Sequence, residues 1–320
     1  MKNYNLIIYP IYSFSIILGV TSQSWTLIWV SLEINLLSFI FLLLIKHTPT
    51  SAEAGMKYFM IQSLGSLILL TAMTMNMFFN NEFSPMAVTP LAALMVKSGV
   101  APLHTWTPNI ISNFPWVNFM LFLTAQKIVP VIIMFSSWFN ILWIIIMINI
   151  MIGSIGGILQ SSFKKMMLFS SINNVGWMML SMSSIVMFTL FLSVYFIMNL
   201  VMIKFISKNS MTWIVQIKSF NLYSKLVFFS LMCSMSGIPP FLGFMPKWMI
   251  IKKIHSTLPL LTMISLISSV VTLFFYFKVT LTSILGSSSA SKSTLTMSFY
   301  GMKFFMMMNL MSPGLFMILT

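Results

Sequence analysis

This chain has no arginine and no aspartate, and its acids are Glu33, Glu53 and Glu82 alone. Only 6% of its 320 residues are charged, against about a quarter in soluble domains, so no stretch is polar enough to clothe a soluble domain. One cysteine, Cys233, excludes an internal disulfide and a thiolate-held metal cluster, and it reads as a small apolar residue of a helix. Three scattered histidines, His47, His104 and His255, do not make a metal site. No G-x-G-x-x-G, P-loop or C-x-x-C spacing occurs, so the chain shows no means of holding a nucleotide, a flavin or an iron–sulfur cluster. No cofactor and no metal is expected to bind it.

What fills the chain instead is apolar length. Hydrophobic residues make up 58%, and runs long enough to cross a bilayer fall at 4–20, 25–45, 57–79, 86–107, 116–137, 140–160, 166–182, 186–206, 225–249, 258–282 and 300–319. The expected fold is an all-α polytopic membrane protein of about eleven transmembrane helices. The first run lacks a basic leader and a cleavage site and is expected to be retained. Glu53 and Glu82 fall outside the runs and are expected in loops. The net charge of +14 comes from lysines spread along spans and loops, so topology explains it and nucleic acid is excluded as a partner. If the spans alternate, Lys2, Lys46, Lys57, Lys164, Lys165, Lys208, Lys218, Lys225 and Lys292 share the side of the N-terminus, and Lys252 and Lys253 lie opposite. The positive-inside rule then places the N-terminus on the inner side.

Chemistry is expected where charge and broken backbone meet inside these runs. In Lys97-Ser98-Gly99-Val100-Ala101-Pro102-Leu103-His104 the lysine lies roughly 10 residues into its span, near the bilayer midplane. Gly99 and Pro102 then disturb the helical ladder, which lipid tolerates only where protein or a wet cavity satisfies the freed groups. Ser98-Gly99-Val100-Ala101-Pro102-Leu103 lies over Ser236-Gly237-Ile238-Pro239-Pro240-Phe241 without a gap, and Lys247 follows the second copy. Matching interrupted segments in two halves of a membrane chain point to a transporter-type repeat. Glu33 is about 12 Å inside the second span, and Lys127 about 15 Å from either end of the fifth, too deep for its amine to snorkel. Lys164 and Lys165 open the seventh span, one as an interfacial anchor and the other able to turn inward. His104 is open to two readings, a proton shuttle or a cap on the broken helix. Ser170, Ser171, Asn173 and Asn174 form a polar run that could hold water or bridge helices. Gly153 and Gly157, four apart, read as a close helix approach. One acid and several amines in an apolar body suit a proton relay better than a solute site.

These motifs, with Leu32-Glu33-Ile34-Asn35-Leu36-Leu37-Ser38-Phe39, Gln126-Lys127-Ile128-Val129-Pro130, Ser170-Ser171-Ile172 and Gly243-Phe244-Met245-Pro246-Lys247-Trp248, stand in the order found in a known family. Together they closely resemble the chain 2 family of NADH:ubiquinone oxidoreductase (respiratory complex I), an antiporter-like subunit family, in its short animal mitochondrial form. The resemblance implies two inverted five-helix repeats with discontinuous helices, 1–137 and 138–283, then a linker and C-terminal transmembrane helix, 284–320. It implies a multi-pass protein of the mitochondrial inner membrane with its N-terminus on the matrix side, beside other membrane-arm subunits and lipid. NADH, FMN, iron–sulfur clusters and ubiquinone would be handled by other subunits, with protons moved here through Glu33, Lys97, Lys127 and Lys247, and Lys165 and His104 as further candidates. One departure is Asn174, where family members commonly carry a histidine; an asparagine does not titrate, so it is assigned no proton-carrying role. Two other functions fit the residues, an autonomous cation/proton antiporter and a non-conducting structural subunit of the membrane arm.

Overall fold

The computed structural model of this chain describes residues 2–45, 48–75, 85–209, 211–220 and 222–285. Glu82, the 286–293 linker and the expected helix at 300–319 lie outside the described residues. Within them the chain is helical, with no strand and one isolated bridge between Ser162 and Trp213. Six helical stretches among the described residues are long and apolar enough to cross a membrane: Trp25–Leu44, Pro49–Thr74, Trp116–Ser137, Ile141–Ile158, Ile185–Lys208 and Pro259–Thr282. A helix satisfies every backbone group along its length, which is what an oily solvent demands. Large apolar side chains such as Leu6, Phe14, Ile185 and Val186 stand exposed on helix flanks, the surface expected of a chain whose solvent is lipid.

The chain divides into two compact units, residues 1–149 and 150–320. The first holds α1 (Lys2–Thr21), α2 (Trp25–Leu44), α3 (Pro49–Thr74), α4 (Pro85–Ser98), α5 (Thr107–Ile111), α6 (Trp116–Leu123) and α7 (Ala125–Ser137). Chain neighbours α1–α2, α2–α3 and α3–α4 pack together, and α7 closes against α4 and α1. Its core is aromatic: Phe39, Tyr58, Phe114 and Phe122 lie within 5.1 to 6.4 Å of one another, centroid to centroid. Trp106 joins that cluster through Tyr58 and Phe122.

Two expectations are corrected here. Glu53 is not in a loop. Thr48 caps α3 by accepting from the Ser51 N–H, Pro49 takes the first helical turn where its missing N–H is harmless, and Glu53 pairs with Lys57 one turn on. The fifth span is also not continuous. Thr124 departs from helical geometry at φ −116° and ψ −77° and separates α6 from α7. Pro130 lacks the N–H that would hold the Gln126 carbonyl, so the first turns of α7 carry a weakened ladder. Lys127 therefore sits in the first turn of α7 rather than in mid-helix.

The helix α8 (Phe139–Ile158) runs across the boundary between the units. The second unit continues with α9 (Phe163–Ser181), α10 (Ile185–Lys208), a 3-10 helix (Ile214–Ser219), α11 (Leu222–Ser236), α12 (Phe244–Ile254) and α13 (Pro259–Leu285). Gly153 carries out the close approach expected of it: a Cβ there would lie 2.4 Å from the Asn173 backbone nitrogen of α9. Gly157 does the same for the Phe275 ring of α13, at 2.7 Å.

Candidate functional site

The first break follows from its residues. Proline at 102 cannot continue a helix, so α4 ends at Ser98 and the chain turns left-handed at Gly99, with φ +67°. The Gly99 N–H donates to the Val96 carbonyl at 3.3 Å, and the Val100 N–H reaches back to Met95 at 3.1 Å. That double closure is the Schellman arrangement, and it satisfies two of the carbonyls a helix end leaves open. Distant side chains meet two more polar groups of the break. The Gln62 amide of α3 donates to the Lys97 carbonyl at 3.2 Å, and the Asn149 side-chain oxygen accepts the Ala101 N–H at 2.9 Å.

The Lys97 side chain leaves this helix end buried, its stem against Gly65 of α3, where a Cβ would sit 3.2 Å from Lys97 Cγ. Its Nζ lies 3.4 Å from Glu33 Oε1 of α2, the two side chains being 3% and 26% exposed. The amine is sealed and the carboxylate is at the edge. Lys127, 2% exposed, is carried by α7, which packs on α4. The Gln126 amide nitrogen beside it is buried without a hydrogen-bond partner. His104 is half-buried in the turn after the break; its Nδ1 lies 3.2 Å from the Pro102 carbonyl, and its own carbonyl accepts from the Thr107 N–H and hydroxyl as α5 begins.

The second break repeats this backbone chemistry. Gly237 has φ +82°, and the Gly237 and Ile238 N–H groups donate to the Cys233 carbonyl at 3.2 and 3.3 Å. Serine is the last helical residue in both, and in both the residue after the glycine bonds five positions back. The lysine arrangement differs. Lys247, buried on α12, turns back so that its Nζ donates to the Ser236 carbonyl at 3.0 Å and stands 5.6 Å over the ring of Trp177. An ammonium at the open end of a helix meets the negative pole of its dipole. Gly237 is also the position that lets the lysine stem pass, since a Cβ would lie 3.1 Å from Lys247 Cδ.

The structure thus brings Glu33 and Lys97 together, sets Lys127 on the helix packed against α4, and holds Lys247 within the second unit on backbone and an aromatic face. Lys164 and Lys165 are half-buried at the start of α9, and Ser170, Ser171, Asn173 and Asn174 are buried along it. Sequence reasoning missed Gln62 and Asn149, the groups that close the first break. The available signal was a lone amide inside an apolar span, since a buried amide has to find a partner.

Comparison with known proteins follows the same lines. A family model described as NADH:quinone oxidoreductase/Mrp antiporter, TM matches residues 22–275. NADH-ubiquinone oxidoreductase chain 2 of Anopheles gambiae is 36% identical over 278 residues, 83% of this chain and 81% of that protein. The protein of the same name from Bos taurus is 32% identical over 299 residues, covering 86% and 85%. A solved structure of respiratory complex I from Thermus thermophilus with bound aureothin contains a chain that superposes with a TM-score of 0.74. At 19% identity, over 86% of this chain and 69% of that one, it shows a shared fold.

Proposed function

The chain belongs to the NADH:quinone oxidoreductase/Mrp antiporter transmembrane family, among the NADH-ubiquinone oxidoreductase chain 2 proteins, and from that membership we propose that it is a proton-translocating subunit of the membrane arm of respiratory complex I. On this reading it is a multi-pass protein of the mitochondrial inner membrane with its N-terminus toward the matrix, which the lysine asymmetry supports. It has eleven spans, ten of them in two inverted five-helix repeats, a pattern supported by the two equivalent breaks. It binds no cofactor. NADH, FMN, iron–sulfur clusters and ubiquinone belong to other subunits, and this chain contributes to the enzyme as a proton carrier without a redox centre.

The observation that carries the reading is the Glu33–Lys97 pair at 3.4 Å beside a broken helix. Opposite charges at that separation attract each other. Parting them withdraws that attraction, so on opening the Lys97 amine can hand its proton on and on closing it holds one again. Lys127 and Lys247 are the next amines of the relay, with Lys165 and His104 as further candidates. Moving one charge against the membrane potential requires about 2.3 kcal/mol per 100 mV. That work comes from quinone reduction elsewhere in the complex, through neighbouring antiporter-like subunits.

The test is Glu33→Gln and Lys97→Ala in the assembled complex, followed by native electrophoresis for assembly and dye quenching for proton uptake into vesicles. Assembly is expected to persist and the protons moved per NADH oxidised to fall. Loss of the arm with normal pumping in the remainder would show a scaffold instead. Gradient-driven exchange by the chain alone would show an autonomous antiporter.

A further inference from the structure

The second unit carries a feature that the relay does not use. A crevice of about 200 Å³ opens between the end of α8, the start of α9, the 3-10 helix and the end of α13. Its apolar side is made by Ile158, Phe275 and Val279, and its polar side by Gln160, Ser161 and Thr282. Two lysines from different elements, Lys218 of the 3-10 helix and Lys278 of α13, also line it, and both are exposed. We propose that this crevice binds an anionic phospholipid, with the headgroup phosphate at Lys218 and Lys278 and the first methylenes against Ile158 and Phe275.

Three observations converge on that ligand. The level is that of the headgroups. Lys278 stands one helical turn before Thr282, where the apolar span Pro259–Thr282 ends, and Trp213 near Lys218 is 55% exposed, as interfacial tryptophans are. The side-chain charge of this part of the chain is of one sign, since twelve of the seventeen lysines and none of the three glutamates lie at 150–320. Described carboxylates elsewhere are engaged, Glu33 by Lys97 and Glu53 by Lys57. A surplus of positive charge attracts anions, and basic crevices between transmembrane helices are suited to acidic lipid headgroups.

The site is also built and continuous with a lipid-facing surface. The segment bearing Lys218 is strapped to the start of α9 by the Phe163 N–H on the Thr212 carbonyl and the Ile214 N–H on the Ser161 carbonyl, each at 3.2 Å. A volume of this size suits a headgroup and a few methylenes. Beyond it, Phe274, Val270 and Leu281 of α13 are half or more exposed and offer a track for the rest of the acyl chain. Binding here is independent of proton transfer, so it stands or falls apart from the relay.

The experiment uses the intact complex in vesicles of phosphatidylcholine doped with a photoactivatable phosphatidylglycerol, or with the same photogroup on phosphatidylcholine, followed by peptide mapping. The acidic probe is expected to label the peptides bearing Ile214–Lys218 and Phe275–Thr282 about thirtyfold more than the neutral one, the combined pull of two lysines on an anionic headgroup. Unlabelled phosphatidylglycerol should compete and unlabelled phosphatidylcholine should not, a result that needs no variant. Lys218→Gln with Lys278→Gln should abolish the preference. Equal labelling by both probes would overturn the proposal. So would a zero-length amine–carboxylate cross-link joining Lys218 or Lys278 to a neighbouring subunit, which would place an acidic protein surface there.

Discussion

Gly99→Ala tests how the first break is held. The left-handed φ of +67° costs a residue with a Cβ about 1–2 kcal/mol. The new methyl would also lie 2.7 Å from Thr107 Cγ2, an overlap that costs about 1–3 kcal/mol if the neighbour cannot yield. Together they make local opening of the break about 2–5 kcal/mol easier. Adding Thr107→Ser separates the two terms. Serine removes the colliding methyl yet keeps the hydroxyl that donates to the His104 carbonyl at 2.7 Å. The readout is hydrogen exchange of the purified complex, followed on the peptide containing the Gly99 and Val100 amides, whose protection reports local opening. Exchange in Gly99→Ala should quicken by about thirtyfold to a few thousandfold, and the double variant should recover about five- to 150-fold of that. Unchanged exchange in the single variant would refute the account of the break. Failure of serine to restore any protection would refute its steric half.

Other substitutions weigh other contacts. Gln62→Leu leaves the Lys97 carbonyl without its side-chain donor and is expected to destabilise the first unit by about 1–3 kcal/mol, seen as a lower melting temperature of the solubilised complex. Gly153→Ala presses a methyl onto the α9 backbone, where no side chain can move aside; a loss of about 1–3 kcal/mol and a lower yield of assembled complex on native gels are expected. Glu53→Gln breaks a pair that is more than half exposed on both sides, and its melting temperature should match the parent within about 1 kcal/mol in stability.

Much of the site was readable from local pattern. A Ser-Gly pair with a proline just beyond it dictates a helix end, because the glycine accepts a left-handed φ and the proline refuses a ladder bond. Both breaks occur where that reading put them, and Glu33 does meet Lys97. The less local a feature, the less the residues announced it. The side chains that close the first break, one a donor and one an acceptor, stand 35 and 48 positions from their backbone partners, and no spacing links them. The interruption at Thr124 was masked by an unbroken apolar run. The start of α3 was hidden for the opposite reason, since its first turns are polar and hydropathy registers only the later ones, although Thr48-Pro49 is a helix opening in its own right.

Lys247 shows what it means to set a cation against main chain instead of an acid. Its counter-dipole is a peptide group, present whatever side chain occupies position 236. No point mutation of a carboxylate can strip it of its balance, as Glu33→Gln would do to Lys97. The vulnerability moves to the glycine at 237, whose bare α-carbon is what gives the ammonium room to lie down on the severed helix. One half of the molecule keeps its charge in register by chemistry and the other by clearance, so genetic damage to the two should look different, abolishing a countercharge in the first and crowding a cation out of place in the second.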